Sequence, residues 1–424
     1  MIRLLIYVFP AAMDAVLAMV LFVCGVRLAR LGIGPLGVSS VITLWAAAYM
    51  CTNALLARFV TAGNARTLLI VSSLLNALLA VLFSVAGPPA ALYALVAVQG
   101  AATAVFFAPF QVFMKGFDTG EGGINRSVGL YTLSWSAGYA IGPFAAGWLW
   151  PVIGWRGCHL LNALLMAAMA ACFALIRPAG RSPRRRSSSP VPPDAPPPAD
   201  PPQMPPPSVY ERMPDLAWMA WVFGGIGGMA ITLVRGVFPC SGQAAGLSAA
   251  AQGMVLFAIS GVQALVGLAL GRGRWWMYRP LPILGFGILG TAGLLGFAAA
   301  GSATGFCAAA VLIGIWSGSF YFYFVFHALV HPRHGPRYVS INEAVVGLTG
   351  ILGPLAGGWL GGRLSLPAAY AAIAALVGAG VLLQSAIHRR LDGRLTAGDP
   401  ASGRSGSAPP GREPAGPARE DENA

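Results

Sequence analysis

The sequence predicts an all-α membrane protein with twelve transmembrane helices arranged as two six-helix bundles. Three observations carry that prediction. Of 424 residues, 56% are hydrophobic and only 10% are charged, against about 25% charged in an ordinary soluble domain. The apolar residues fall in blocks of about 20, the length that crosses a hydrocarbon core of about 30 Å at 1.5 Å per helical residue. A proline-rich polar stretch then divides the chain, with six apolar blocks before it and six after.

Each block must satisfy its backbone hydrogen bonds internally, because the short polar breaks between blocks lack the dyad alternation of barrel strands. The predicted spans are 4 to 26, 38 to 60, 67 to 87, 90 to 114, 127 to 150 and 157 to 177, then 216 to 238, 247 to 271, 280 to 300, 303 to 330, 339 to 362 and 366 to 387. The opening, MIRLLIYVFPAAMDA, has the look of a signal peptide, but Asp14 interrupts its apolar run and no cleavage site is evident. It is read as an uncleaved first helix. The stretch RSPRRRSSSPVPPDAPPPADPPQMPPP is too poor in core-forming residues to fold. The predicted domains are therefore a bundle over 1–177, a disordered linker over 178–215, a second bundle over 216–388 and a disordered tail over 389–424.

Charge distribution predicts orientation. The formal net charge is +13, and most of the basic residues fall on alternate loops: Arg3, Arg58, Arg66, Lys115, Arg126, the linker arginines, Arg272, Arg274, Arg279, Arg333, Arg337 and the tail. Only Arg27, Arg30, Arg156 and Arg363 fall on the other loops, with Arg235 inside a span. The positive-inside rule then places both termini in the cytoplasm of a multi-pass protein of the cell membrane. Arginines that flank apolar helices do not form one aromatic-laced face, so nucleic acid is excluded as a partner. The six cysteines are scattered without CxxC spacing and read as packing residues. His331 and His334 sit in a loop beside Pro332, too weak a spacing for a metal. No phosphate loop, nucleophile triad or cofactor motif is present; the chain is predicted to be a monomer that is not an enzyme and carries no cofactor or metal.

The halves echo each other where GPFAAGWL, from Gly142 to Leu149, recurs as GPLAGGWL, from Gly353 to Leu360. The fifth span places Gly129, Gly138, Gly142, Pro143 and Gly147 at the spacing G-x8-G-x3-G-P-x2-G-G, with Ala146 for one glycine. On these residues the chain resembles the major facilitator superfamily, in which that motif is associated with antiporters. The second half carries Gly353, Pro354 and Gly358 in the matching block. Small residues let helices approach closely and proline removes a backbone hydrogen bond, so these positions also read as helix packing. Other signatures depart from the family pattern. After the second span Arg58 is present, but Ala57 stands where the family has aspartate. After the eighth, Gly271 takes the acidic position beside Arg272. The fourth span has Gln99 and Gly100 without the arginine that proton antiporters place before them.

An ionised side chain at the bilayer centre costs at least about 2.5 to 3.5 kcal/mol, so the few such residues are the candidate site. Asp14 lies midway along the first span, as a proton or cation site or as a satisfied structural carboxylate. Arg235 stands toward the outer end of the seventh, where it either snorkels to headgroups or binds an anion. Glu343 begins the eleventh, as an ion pair with nearby cations or as a proton-exchange partner of His327. The tenth span puts Phe320, Tyr323, Phe324 and His327 on one face, and the fourth carries Phe106, Phe107, Phe110, Gln111 and Phe113. The resemblance implies that these two spans line a cavity, where aromatic walls suit an amphipathic or apolar solute; core packing is the plainer reading. The function expected is a secondary active transporter of a small solute by alternating access, coupled to protons and directed to export. The alternatives are a non-transporting scaffold or sensor on the same fold and, less well founded, a membrane-embedded transferase.

Overall fold

The computed structural model describes residues 7–56, 58–115, 124–176, 215–273, 276, 279–329 and 335–397. All regular structure among them is helical. In chain order the helices are α1 (Val8–Arg30), α2 (Pro35–Leu56), α3 (Ala65–Val85) and α4 (Pro89–Lys115), followed by a segment Ile124–Leu175. After the linker come α7 (Ala217–Ala244), α8 (Ala249–Leu270), α9 (Pro280–Ala299), α10 (Ala303–Leu329), α11 (Gly335–Arg363) and α12 (Leu366–Ala397). Residues 177–214, and the tail beyond 397, lie outside the described residues. α12 runs on past the tail boundary predicted at 388.

The segment Ile124–Leu175 holds two helices, not one. Its apolar part is 44 residues long, about 66 Å as a straight rod and twice the thickness of a hydrocarbon core. Gly154 breaks it with φ 70° and ψ 168°, a conformation open to glycine and strained for any residue with a Cβ. The chain turns back there. Cys158 Sγ lies 3.9 Å from the Ala146 carbonyl, whereas twelve residues of unbroken helix would separate them by about 18 Å. The two helices are α5, before Gly154, and α6, after it. Twelve crossings result, and an even number returns the chain to the side it started from. That end is the termini side, and the opposite end is the far side.

Local chemistry fixes the ends. Pro35, Pro89 and Pro280 open their helices, where a missing N–H costs nothing. Ser248 caps α8 by accepting from the Ala251 amide at 3.2 Å, and Asp215, one residue before the cap position of α7, accepts from the Ala217 amide at 2.9 Å. α1 and α7 end alike. Gly32 (φ 75°) and Gly246 (φ 67°) take the left-handed position after each helix. The Ile33 amide then returns to the Leu28 carbonyl at 3.1 Å and the Leu247 amide to Gly242 at 2.8 Å, a Schellman closure in both cases.

Glycines set how closely the helices approach. A Cβ at Gly142 would collide with the Ala15 carbonyl of α1, and one at Gly353 with the Met229 carbonyl of α7. α5 thus packs on α1 as α11 packs on α7, backbone against backbone. The same two helices join the halves. Gly147 of α5 meets Ala249 of α8, Gly253 of α8 meets the Pro143 carbonyl, and Gly358 of α11 meets Leu36 and Pro35 of α2. With Gly25 of α1 against Pro239 of α7, these contacts close the far side. Gly129 lies in described helix, but its surroundings are outside the described residues. The six cysteines are free thiols, Cys24 and Cys158 of them buried.

Candidate functional site

A partly open cavity lies between the halves, bounded by α1, α2, α5, α7 and α8. Phe22, Val41, Ile42, Trp45 and Leu256 give it an apolar and aromatic wall, while Tyr139, Thr232, Arg235 and Ser260 supply polar groups. Trp45 adds an indole N–H that is buried with no hydrogen-bond partner.

Arg235 turns inward. Its Nη2 donates to Ser260 Oγ at 2.9 Å and its guanidinium carbon stands 4.7 Å from the centroid of the Tyr139 ring. Snorkelling to headgroups, the plainer sequence expectation, is not what the side chain does. It bridges the halves, since Tyr139 belongs to α5 and Ser260 to α8.

Asp14 is buried, 2% exposed, and its Oδ2 has no hydrogen-bond partner. α5 presses directly on it, because a Cβ at Gly138 would lie 2.7 Å from the Asp14 Cβ. Tyr139 is the next residue, and the Arg235 charge acts on the Asp14 carboxyl without a direct ion pair between them. Tyr321 of α10 completes the cluster, within reach of the Arg235 charge and edge-on to Trp135 at 5.1 Å. Sequence patterning missed Tyr139, Trp135 and Tyr321, because an aromatic in an apolar span carries no mark of which way it points.

Glu343 forms a second crossing point on the termini side. The Tyr49 hydroxyl of α2 donates to its Oε2 at 3.4 Å, and the Gln111 side chain of α4 faces the same carboxylate. Neutral donors from the first half therefore hold an acid of the second. Of the cations expected beside it, Arg333 and His334 lie outside the described residues, as does the Arg337 side chain. Tyr49 stacks on Trp45 at 5.2 Å, which links this point to the cavity wall one turn away.

The aromatic faces of α4 and α10 go elsewhere. Phe106, Phe107, Phe110 and Phe113 pack with Met166, Met169 and Phe173 inside the first bundle. Tyr323 meets His388 Nε2 of α12 at 3.1 Å, His327 sits 4.2 Å from the Tyr323 ring, and Phe324 packs against Gly224 of α7. Packing inside each bundle is where the structure places these side chains, and on α10 Tyr321 faces the other half instead. Gln99 likewise faces inward, donating to Asn76 of α3.

Comparison with known proteins gives a family and a fold. The sequence profile described as Major Facilitator Superfamily matches residues 4–326. No curated protein sequence matches the chain. Among solved structures, a bacterial homologue of the human lysosomal transporter Spinster, inward-facing and occupied, aligns with a TM-score of 0.62 at 13% identity, covering 92% of this chain and 96% of that one. The nucleoside transporter NupG aligns at 0.58 and 10% identity over 92% and 99%. The human organic anion transporter MFSD10 (TETRAN) aligns at 0.56 and 14% identity over 90% and 99%.

Proposed function

Because the chain belongs to the Major Facilitator Superfamily, a family of multi-pass membrane transporters, we propose that it is a proton-coupled secondary transporter that exports a small amphipathic solute by alternating access. Both termini lie in the cytoplasm and the protein works as a monomer in the cell membrane. The solute occupies the cavity between the halves, its apolar part against Phe22, Val41 and Trp45 and its polar group near Thr232 and Arg235.

One observation carries the coupling: a carboxyl buried in α1, with an oxygen that nothing donates to, stands beside a cavity whose opposite wall holds a fixed cation. An isolated charge in lipid is costly. Protonated, Asp14 is neutral and the halves are free to rock past it; ionised, it draws on Arg235 and on water admitted from one side. Gradient energy then biases which side is open. The Gly-Pro motif of α5 favours export, since in the family it accompanies antiport.

Purified protein in liposomes tests this. A solute screen with an imposed pH gradient and electrical readout is expected to find flux that reverses with gradient polarity, and Asp14→Asn is expected to abolish the pH dependence. Wild-type flux blind to the gradient, or Asp14→Asn coupled as well as wild type, overturns proton coupling at this site. A non-transporting sensor is the second reading, favoured by the missing acids at Ala57 and Gly271; absence of flux for every solute under either polarity would select it.

A further inference from the structure

The last six helices form a second, partly open crevice among α7, α9, α10 and α12, separate from the cavity between the halves. Its walls are aromatic and apolar, with Phe223, Trp276, Phe286, Trp316 and Phe320 prominent. It lies at the termini side: Pro282 stands in the first turn of α9, and Tyr323 and Gln384 stand near the ends of α10 and of the membrane-spanning part of α12. Along α12 it runs from Gln384 back to Val377, about 10 Å. The slot thus starts at headgroup depth and descends part of the way into the hydrocarbon.

Nearly every polar group on its wall is engaged. The Trp276 indole N–H donates to the Leu270 and Gly273 carbonyls at 3.1 and 3.0 Å, Ser319 donates to the Trp316 carbonyl at 2.7 Å, and Tyr323 meets His388. Gln384 is different. It is 7% exposed, yet its amide bonds to nothing among the described residues. An amide that lines the slot without a protein partner is satisfied by water or by an occupant that carries a hydrogen-bonding group at that depth, and an apolar occupant that displaces the water has to supply such a group. Around the mouth, Arg272 follows Leu270, Arg279 precedes Pro282, and Arg389 and Arg390 come little more than a turn after Gln384. All four are exposed, and none makes an ion pair or hydrogen bond among the described residues.

An apolar slot, one unengaged amide at its upper level and a collar of free arginines match the three parts of one molecule. We propose that this crevice binds an anionic phospholipid from the termini-side leaflet. The upper part of one acyl chain fills the slot, the ester carbonyl at its head accepts from the Gln384 amide, and the phosphate lies among Arg272, Arg279, Arg389 and Arg390. This site is independent of the solute pathway, and its existence does not depend on what the protein transports.

Native mass spectrometry of the full chain in mild detergent, titrated with phosphatidylglycerol, phosphatidylcholine and inorganic phosphate, tests it. Wild type is expected to retain one phosphatidylglycerol in preference to phosphatidylcholine, with phosphate failing to displace it. Gly380→Leu places a side chain in the slot, where even a Cβ would lie 3.2 Å from Ile226 Cδ1, and should cut occupancy several-fold. Val377→Phe fills the other end and serves if Gly380→Leu does not fold. Arg272→Gln with Arg279→Gln should remove the preference between the two lipids. Unchanged occupancy in a folded slot-filling variant, or displacement of the lipid by phosphate alone, overturns the proposal.

Discussion

Glu343 is held across the interface by a phenol and an amide, and neither partner changes charge when the halves part. Such a contact is weaker than a buried ion pair, but it carries no large desolvation cost when it breaks. A joint that must open and close on each cycle favours that compromise. Tyr49→Phe removes one donor, worth about 1 kcal/mol, or roughly a fivefold shift in the balance between open and closed termini sides. Spin labels at Leu55 and Trp218, exposed positions of the two halves, should show by pulsed dipolar spectroscopy a larger open fraction in Tyr49→Phe. A distribution identical to wild type would mean that the contact carries no load. The sequence marked Glu343 and Gln111 separately, because a carboxylate and an amide in apolar spans are conspicuous. It did not join them, since the pairing of α2, α4 and α11 is a property of tertiary packing. Tyr49 had no mark at all, and Arg235 had one that named its cost but not its direction.

Among the helices, the repeated Gly-Pro block does two different jobs in each half. Gly353 seats α11 against α7 within one bundle, whereas Gly358, a turn and a half farther on, seats it against Pro35 and Leu36 of the other. Side chains added at the two positions should therefore fail differently. Gly353→Leu overpacks a bundle core, and thermal unfolding in detergent should show a loss of about 1 to 3 kcal/mol. Gly358→Leu wedges the far side open with little change in stability. Cys240, half-buried against the apolar cluster of the first bundle at the far end of α7, should then label several-fold faster with maleimide, in a background lacking the other cysteines. Equal stability losses and unchanged Cys240 labelling would refute this division. At this scale the sequence was most legible. Hydrophobic run length placed the inter-span breaks among the described residues to within a few residues, and the structure adds that α5 and α6 meet at Gly154 without a non-helical loop and that α12 continues to Ala397. Runs of apolar residues report the solvent, and lipid admits little besides helices.

For the whole molecule, orientation rests on where cations stand and on what restrains them. Arg363 on the far side makes no hydrogen bond, ion pair or ring contact among the described residues, but the other three far-side arginines are tied to protein: Arg27 lies 3.5 Å over the Trp155 ring and donates to the Ala86 carbonyl at 3.0 Å, Arg30 stands 4.7 Å over Trp150 and Arg156 5.2 Å from the Trp155 centroid. Aromatic faces and a helix-end carbonyl give these cations partners at the interface, where indoles are at home. On the termini side Arg66 is likewise tied down, donating to the Phe173 and Ala174 carbonyls, but Arg272, Arg279, Arg389 and Arg390 make no ion pair or hydrogen bond among the described residues, and under the proposed orientation they are the charges that the cytoplasmic side retains. An impermeant maleimide applied to intact cells in a cysteine-free background should therefore label Leu31→Cys, on the exposed turn after α1, and spare Ser187→Cys in the linker until the membrane is permeabilised. The opposite pattern would invert the protein. It would also place Arg272, Arg279, Arg389, Arg390 and the proposed anionic-lipid crevice in the outer leaflet, and it would reverse the direction in which a proton gradient is proposed to act on Asp14.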